Sequence, residues 1–333
     1  MQKKDKSLTA RVVLSPSELP DPCCGYSAEW DRNWFNPPLD APDLPTLAIV
    51  IPSFNQARFI EQTIRNILLQ NYSRLELIII DGGSTDGTQE IIRKYEPWID
   101  YWVSEPDRGM YDALNKGFQR SSGDIMGWSP TGDLYVSGAL QIVGKALRAC
   151  PDVSWVTSQW KVKINEVGEE TSRYKVPGFS REAFFRGLYM PHGCASARHT
   201  IQQQSTFWRR KLWYECGGAM DATMKGAGDF ELWSRFFRKA ELFSLDKPIG
   251  VFRTHEGQES VAHEERMTIE SRQALTRTGG LCMPPWKARL RRQFRSRAPL
   301  RWIGKALHMS WNACFLESGG SDRFSTMRKD IDA

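Results

Sequence analysis

The chain has no run of 18 uncharged apolar residues, so no part of it reads as a membrane-spanning helix. Its start, Met1-Gln2-Lys3-Lys4-Asp5-Lys6, leads into no apolar stretch of the kind a secretory signal needs. Among the 7 cysteines there is no Cys-x-x-Cys pair, and the adjacent Cys23 and Cys24 have poor geometry for bonding to one another; an odd, unpatterned set fits a reducing compartment. No Gly-x-Gly-x-x-Gly follows the first apolar run and no Gly-x(4)-Gly-Lys-Ser/Thr occurs, which argues against a dinucleotide-binding enzyme and a P-loop NTPase. Internal repeats and low-complexity tracts are also missing. The expectation is a cytoplasmic chain without a membrane span.

One further absence is local. Between Lys287 and Lys305 there is no acid, while eight Lys/Arg occur there, interleaved with Trp286, Leu290, Phe294, Trp302, Ile303 and Leu307. The chain carries a net +6, so the rest sums to about −2. A basic, apolar-studded segment of this kind suits an anionic membrane surface, where each cation contributes on the order of 1 kcal/mol. A basic helix packed on its own domain is the plainer alternative. Nucleic acid is not an expected partner, because the folded part lacks the basic face such binding requires.

What is present begins near residue 46. Residues 1–45 are rich in Pro and Asp without periodicity and read as an extended or partly ordered arm. Strand signals at 47–51, 75–80, 101–103, 125–128 and 153–157 then alternate with helical patterns, among them one carrying Phe59, Ile60, Ile64, Ile67 and Leu68 on one face. Such alternation predicts an α/β, mainly parallel sheet with crossover helices. The polar segment 161–175 reads as a hairpin or loop, and a helix is expected over 229–239. The reading divides the chain into the arm, a domain over 46–262 with halves 46–135 and 136–262, and a basic amphipathic region over 263–333 with a helical tail.

Three apolar runs end in polar or glycine residues: Pro52-Ser53-Phe54-Asn55, Asp81-Gly82-Gly83-Ser84-Thr85-Asp86-Gly87-Thr88, and Gly123–Trp128 leading to Gly132-Asp133. In an open α/β sheet the crevice beyond the carboxyl ends of the strands is where ligands bind, so these ends describe one site. Asp81, directly after a buried strand, is either a rigid acceptor for a nucleotide base or a turn residue. Asp86 reads first as a helix cap. Asp133 is a candidate ligand for a divalent cation, Mn²⁺ or Mg²⁺, bridging two phosphates; a second ligand is wanted, and His255 is the candidate. Asp229 opens an amphipathic helix behind Lys225-Gly226-Ala227-Gly228, where a carboxylate is kept ionised as a general base must be, although a plain N-cap explains it too.

These residues bring a family into view. The chain resembles the family 2 glycosyltransferases of the GT-A fold, in particular the bacterial polysaccharide and lipopolysaccharide branch, over about residues 46 to 262. The likeness rests on ordered motifs: Ile51–Asn55, Ile80–Thr88, Ser104–Gly117, Gly123–Trp128, Gln203–Arg210, Gly228–Trp233 and Phe252–His255. It implies a Rossmann-like sheet and an inverting transferase that moves a sugar from a nucleotide-sugar, by family frequency a UDP-sugar, to a hydroxyl of a glycan or lipid-linked acceptor. It places Asp81 at the base, Asp133 at the metal and Asp229 as catalytic base. Pro52, Ser53, Asn55, Asp107, Asp112, Asn115, Lys116 and Gly132 are expected around the donor, with Gln204 and Trp208 near the reacting sugar or acceptor. The chain departs from the family at Trp128-Ser129-Pro130-Thr131-Gly132-Asp133, where many members read Trp-Leu-Asn-Ser-Asp-Asp. The alternative this leaves is a catalytically silent GT-A module that binds a nucleotide or a partner. The implied location is the cytoplasmic face of the membrane, peripherally held.

Overall fold

The computed structural model describes residues 14–23, 26–37, 43–191, 199–256, 264–284, 311–318 and 324–331. Its frame is set by two apolar runs, Leu47–Ser53 (β1) and Leu75–Asp81 (β2), in which every residue is buried. Strands apolar on both faces belong inside a parallel sheet covered by helices. They pair in parallel, with Leu47 opposite Leu75 and Ser53 opposite Asp81. Tyr101–Ser104 (β3) continues beyond β2 with Ser104 opposite Asp81, and Ile125–Trp128 (β4) flanks β1 with Trp128 opposite Val50. This register brings Ser53, Asp81 and Ser104 level at the carboxyl ends of three strands.

Helices Ala28–Trp34 (α1), Ala57–Leu68 (α2), Thr88–Lys94 (α3), Met110–Arg120 (α4) and Ala139–Ala149 (α5) accompany this half. Farther along, the parallel order is interrupted. Thr206–Arg209 (β9) runs antiparallel between β4 and Trp155–Ser158 (β6). Beyond β6 lie Leu242–Leu245 (β10), Trp311–Ser318 (β12) and Phe324–Ile331 (β13), giving the order β13-β12-β10-β6-β9-β4-β1-β2-β3. A second sheet, ordered β5-β11-β7-β8, is made of Leu134–Tyr135 (β5), Gly250–Arg253 (β11), Trp160–Ile164 (β7) and Glu170–Lys175 (β8). The expected α/β, mainly parallel architecture is what forms, and the polar segment 161–175 is a hairpin.

The helical tail expected past residue 263 needs correcting. Glu264–Arg277 is a helix, but β12 and β13 are strands, and β12 joins the main sheet in parallel with β10, Cys314 opposite Phe243. Ala313, Cys314, Phe315 and Leu316 are buried in succession, which a strand with both faces covered produces and an amphipathic helix does not. The basic residues from 287 to 305 lie outside the described residues. Among the described residues no helix is long and apolar enough to cross a membrane.

Part of the N-terminal arm is ordered against α2. Arg65 and Asp31 form an ion pair at 2.5 Å, both side chains buried, and Tyr26 and Tyr95 hydrogen-bond to it. Asn71 holds the backbone of Leu14 from both ends of its amide.

Helices Arg181–Phe185 (α6), Arg210–Glu215 (α7), Gly228–Lys239 (α8) and Glu264–Arg277 (α9) cover the other half. Beneath α8 lies a wall of fully buried tryptophans: Trp233 stacks on Trp128 at 5.5 Å and on Trp155 at 5.6 Å, and Trp208 packs edge-on between Trp128 and Phe236. The wall anchors α8, and with it the residue at its entrance, to the end of β4.

Candidate functional site

The turn after β2 is built by its own aspartate. Asp81 is wholly buried; its Oδ2 accepts from the amides of Ser84 (2.9 Å) and Gly83 (3.2 Å) and from Ser104 Oγ (2.5 Å), while Oδ1 accepts from Ser84 Oγ. The carboxylate thus shapes the glycine loop from beneath. Asn55, at φ +50°, accepts from Thr85 N (3.0 Å) and gives its own amide to Ser84 Oγ (2.7 Å), clamping the ends of β1 and β2 together. Asp86 accepts from Ala57 N and Thr88 N, so it caps α2 across the crevice as well as α3 beside it. Ser53 Oγ is buried without a hydrogen bond among the described residues, and the Pro52 carbonyl accepts from Thr131 Oγ1 at 3.1 Å.

The loop before α4 closes this end. Asp107 Oδ1 accepts from Gly109 N (2.7 Å), and a Cβ on Gly82 would stand 2.8 Å from Asp107 Oδ2, so only glycine lets the two loops approach. Burial raises the Asp107 carboxyl, with the negative Asp112 and Asp81 adding to it against Gly109 N and Lys116. Asp112 turns to Arg108 (2.8 Å), which lowers it. Lys116 pairs with Glu105 at 2.9 Å, and both ends of the Asn115 amide bond the backbone of Met220. Asp107 is thus half-buried beside Gly82, while Asn115 ties α4 to the loop leading toward α8.

Asp133 lies where the two sheets meet. It is buried, and its Oδ1 accepts from Arg253 N at 3.0 Å. The Arg253 guanidinium is buried as well: it donates to Gly132 O (2.9 Å), Glu166 O (2.8 Å) and Asn165 O (3.2 Å) and to Gln62 Oε1, and it covers the Phe59 ring. Burial pushes the Asp133 carboxyl up to about 7 against the pull of Arg253. A buried carboxylate that Arg253 only partly compensates, with Oδ2 carrying no hydrogen bond among the described residues, fits a divalent cation that takes its other ligands from outside the protein. His255 packs tilted against Phe59, ring centroids 5.1 Å apart, and its Nδ1 meets the Glu256 carbonyl. Among the described residues no three His, Cys, Asp or Glu side chains converge as a metal cage.

Asp229 occupies the first turn of α8. A helix N-terminus ordinarily lowers a carboxylate, yet here burial pushes Asp229 up to about 6, against the amides of Phe230 and of Asp229 itself. The ring of Tyr111, from the first turn of α4, lies against Gly228, where a Cβ would come within 2.7 Å of it. Lys225 Nζ donates to Arg108 O at 2.5 Å, joining the loop before α8 to the loop before α4. The loop before α4 and the loop before α8 are thus joined beside Asp229.

Gln204 sits in a turn before β9, buried, with Nε2 unpaired among the described residues; Trp208 is fully inside the tryptophan wall with Nε1 unpaired. Three residues escaped the sequence reading. Phe54 is 58% exposed beside Gly82, and its place between Ser53 and Asn55 was a usable signal. Arg253 and Tyr111 could not be singled out, because their roles come from contacts across the fold.

Comparison with known proteins follows the same lines. The family model "Glycosyl transferase family 2" matches residues 48–215. An uncharacterized glycosyltransferase of Mycobacterium tuberculosis strain H37Rv is 31% identical over 176 residues, 52% of this chain and 62% of that protein. The chain thus spans about three fifths of the length of that relative. The S. aureus TarS 1-349 structure in complex with UDP-GlcNAc superposes with TM-score 0.56 at 15% identity, covering 79% of this chain and 75% of that one. The mannosyltransferase PcManGT from Pyrobaculum calidifontis, in complex with GDP-Man and Mn²⁺, superposes with TM-score 0.53 at 20% identity over 83% and 85% of the two chains. At these identities the two structures speak to the fold.

Proposed function

Because the chain belongs to glycosyl transferase family 2, and is a glycosyltransferase of GT-A fold, we propose that it is an inverting enzyme using Asp229 as its base. The observation carrying this reading is the raised, half-buried Asp229 on the rim of the crevice, linked by Lys225 to the donor-side loop. A carboxylate that ionises near 6 is charged at neutral pH and yet basic enough to accept a hydroxyl proton. Asp229 takes the acceptor proton, the freed oxygen bonds to the anomeric carbon, and the bond from that carbon to the nucleoside diphosphate breaks, its electron pair leaving with the diphosphate.

The donor end is read from the strand ends. Asp81 and Asn55 set the glycine loop, Asp107 and the exposed ring of Phe54 border it, and the nucleotide base is proposed to bind beside them. A UDP-sugar is the proposed donor, and the TarS complex with UDP-GlcNAc supports that choice of nucleotide. A divalent cation at Asp133, as Mn²⁺ accompanies GDP-Man in PcManGT, would neutralise the diphosphate. The acceptor is proposed to be a glycan or lipid-linked hydroxyl in cell-surface polysaccharide synthesis. Thermal-shift measurements with UDP-, GDP- and dTDP-sugars, with and without Mn²⁺, test the reading: stabilisation by UDP-sugars is expected, and a response to none of them would sink it. For the metal, calorimetry should show Mn²⁺ tightening UDP binding to the wild type by about tenfold, with the gain lost in Asp133→Asn. Equal affinity with and without Mn²⁺ would remove the cation.

Residues 287–305 are proposed to bring the enzyme to an anionic membrane. Changing Lys287, Arg289, Arg291 and Arg292 to Glu should abolish co-sedimentation with phosphatidylglycerol vesicles at low salt, since each cation contributes about 1 kcal/mol near such a surface. Unchanged sedimentation would show that the segment plays no part there.

A further inference from the structure

The loop before α8 is held from behind by a carboxylate that the proposed mechanism does not use. Glu270, on α9, is buried. Its Oε2 accepts from the amides of Gly226 (2.9 Å), Ala227 (3.0 Å) and Lys225 (3.2 Å), and its Oε1 from Lys225 N and Arg266 Nε, both at 3.1 Å. Three consecutive backbone donors directed at one point form a concave anion site. Here the anion is supplied from within the chain. Burial acts to raise Glu270, but the amides of Gly226 and Lys225, Arg266 and the amide of Ala227 outweigh it, so Glu270 is lowered and charged at neutral pH.

These amides immediately precede the first turn of α8, which begins at Gly228 and carries Asp229. We propose that Glu270 is a positioning residue for Asp229: it fixes the loop that presents the base and occupies backbone donors that would otherwise turn toward the Asp229 carboxylate. This rests on the reading of Asp229 as the base. The consequence for Asp229 is one of hydrogen bonding. With donors 225–227 engaged by Glu270, Asp229 is stabilised as an anion only by its own amide and that of Phe230. Glu270 and Asp229 both act on the buried Tyr111 hydroxyl, raising it, whereas what raises Asp229 itself is burial. The titratable and charged groups around Asp229 are then Tyr111 from α4, Lys225 from the preceding loop, and Glu270 with Arg266 from α9. On α8 itself Glu231 and Arg235 pair with each other at 2.8 Å. Glu270 is the one anion of this set off α8, and it also holds the loop.

The experiment uses the full chain with ¹³C-labelled aspartate, following the Asp229 carboxyl by NMR from pH 4 to 9, the resonance assigned by its loss in Asp229→Asn. In Glu270→Gln, which keeps shape and removes charge, the Asp229 midpoint is expected to fall by about one unit relative to wild type. Glu270→Asp, which keeps the charge, should restore most of the shift. A midpoint unchanged in Glu270→Gln, with only the melting temperature lowered, would overturn the proposal and leave Glu270 a structural brace. Failure of the underlying reading shows separately, as normal transfer by Asp229→Asn.

Discussion

Asp229→Asn is expected to lower sugar transfer by at least about 10²-fold, with donor affinity kept within about twofold, because an amide cannot take the acceptor proton. The same change should make the protein more stable. Folded Asp229 ionises near 6 rather than at the ordinary 3.8, so the folded state holds its proton longer than the unfolded chain. The stability this gives is full below 3.8 and is lost as pH rises through 6. At pH 8 the wild type carries the whole cost of a half-buried charge. Removing that charge is expected to gain about 1 to 2 kcal/mol, discounted for partial solvent contact. Chemical denaturation at pH 8 and pH 4 measures it: the variant should lead at pH 8 and lose its lead at pH 4. Near-normal transfer would take Asp229 out of the mechanism, and a destabilised variant at pH 8 would contradict the burial argument.

The second large effect is expected at Arg253. Arg253→Met leaves the carbonyls of Gly132, Asn165 and Glu166 without their donor inside the protein. Relief of the buried charge, whose guanidinium burial pushes down to about 10, offsets part of this. Breaking such a network by removing one member costs roughly 3 kcal/mol, or about 10 °C in Tm for a domain of this size. Because Arg253 also fixes the loop carrying Gly132 and Asp133, Mn²⁺-assisted nucleotide binding should weaken along with Tm. A Tm within about 2 °C of wild type would show that the junction of the two sheets is held elsewhere.

The difference between what was legible and what was not has a physical origin. β1 and β2 could be read because strands buried on both faces carry apolar runs, here 47–51 and 77–80, and the loop after Asp81 because its glycines mark a tight turn. β9 and β11 are four residues each and carry Arg209 and Arg253, so neither offers an apolar run or a clean alternation long enough to read, and β12, eight residues long, holds its apolar residues 313–316 between the polar Asn312 and Glu317. Their character as strands comes from partners distant in sequence. The same holds at the site. Asp229 advertises itself at a helix start, whereas Glu270 lies 41 positions later on a helix whose sequence shows nothing of the loop it holds. Trp208 was placed near the reacting sugar by likeness alone, and only the antiparallel course of β9 shows its ring turned into the tryptophan wall.

The parallel pairing of β12 with β10 bears on how the chain is assembled. β10 lies between β6 and β12, and β12 follows it by 66 residues, after every residue assigned to the site has been made. Until then β10 presents a row of unpaired amides and carbonyls beside uncovered apolar surface, the template on which strands of other chains add. A nascent or shortened chain ending before Trp311 would hold a complete crevice on an unfinished sheet. Its hazard would be self-association rather than loss of chemistry, and synthesis at low temperature or with a holding chaperone would matter most over that interval.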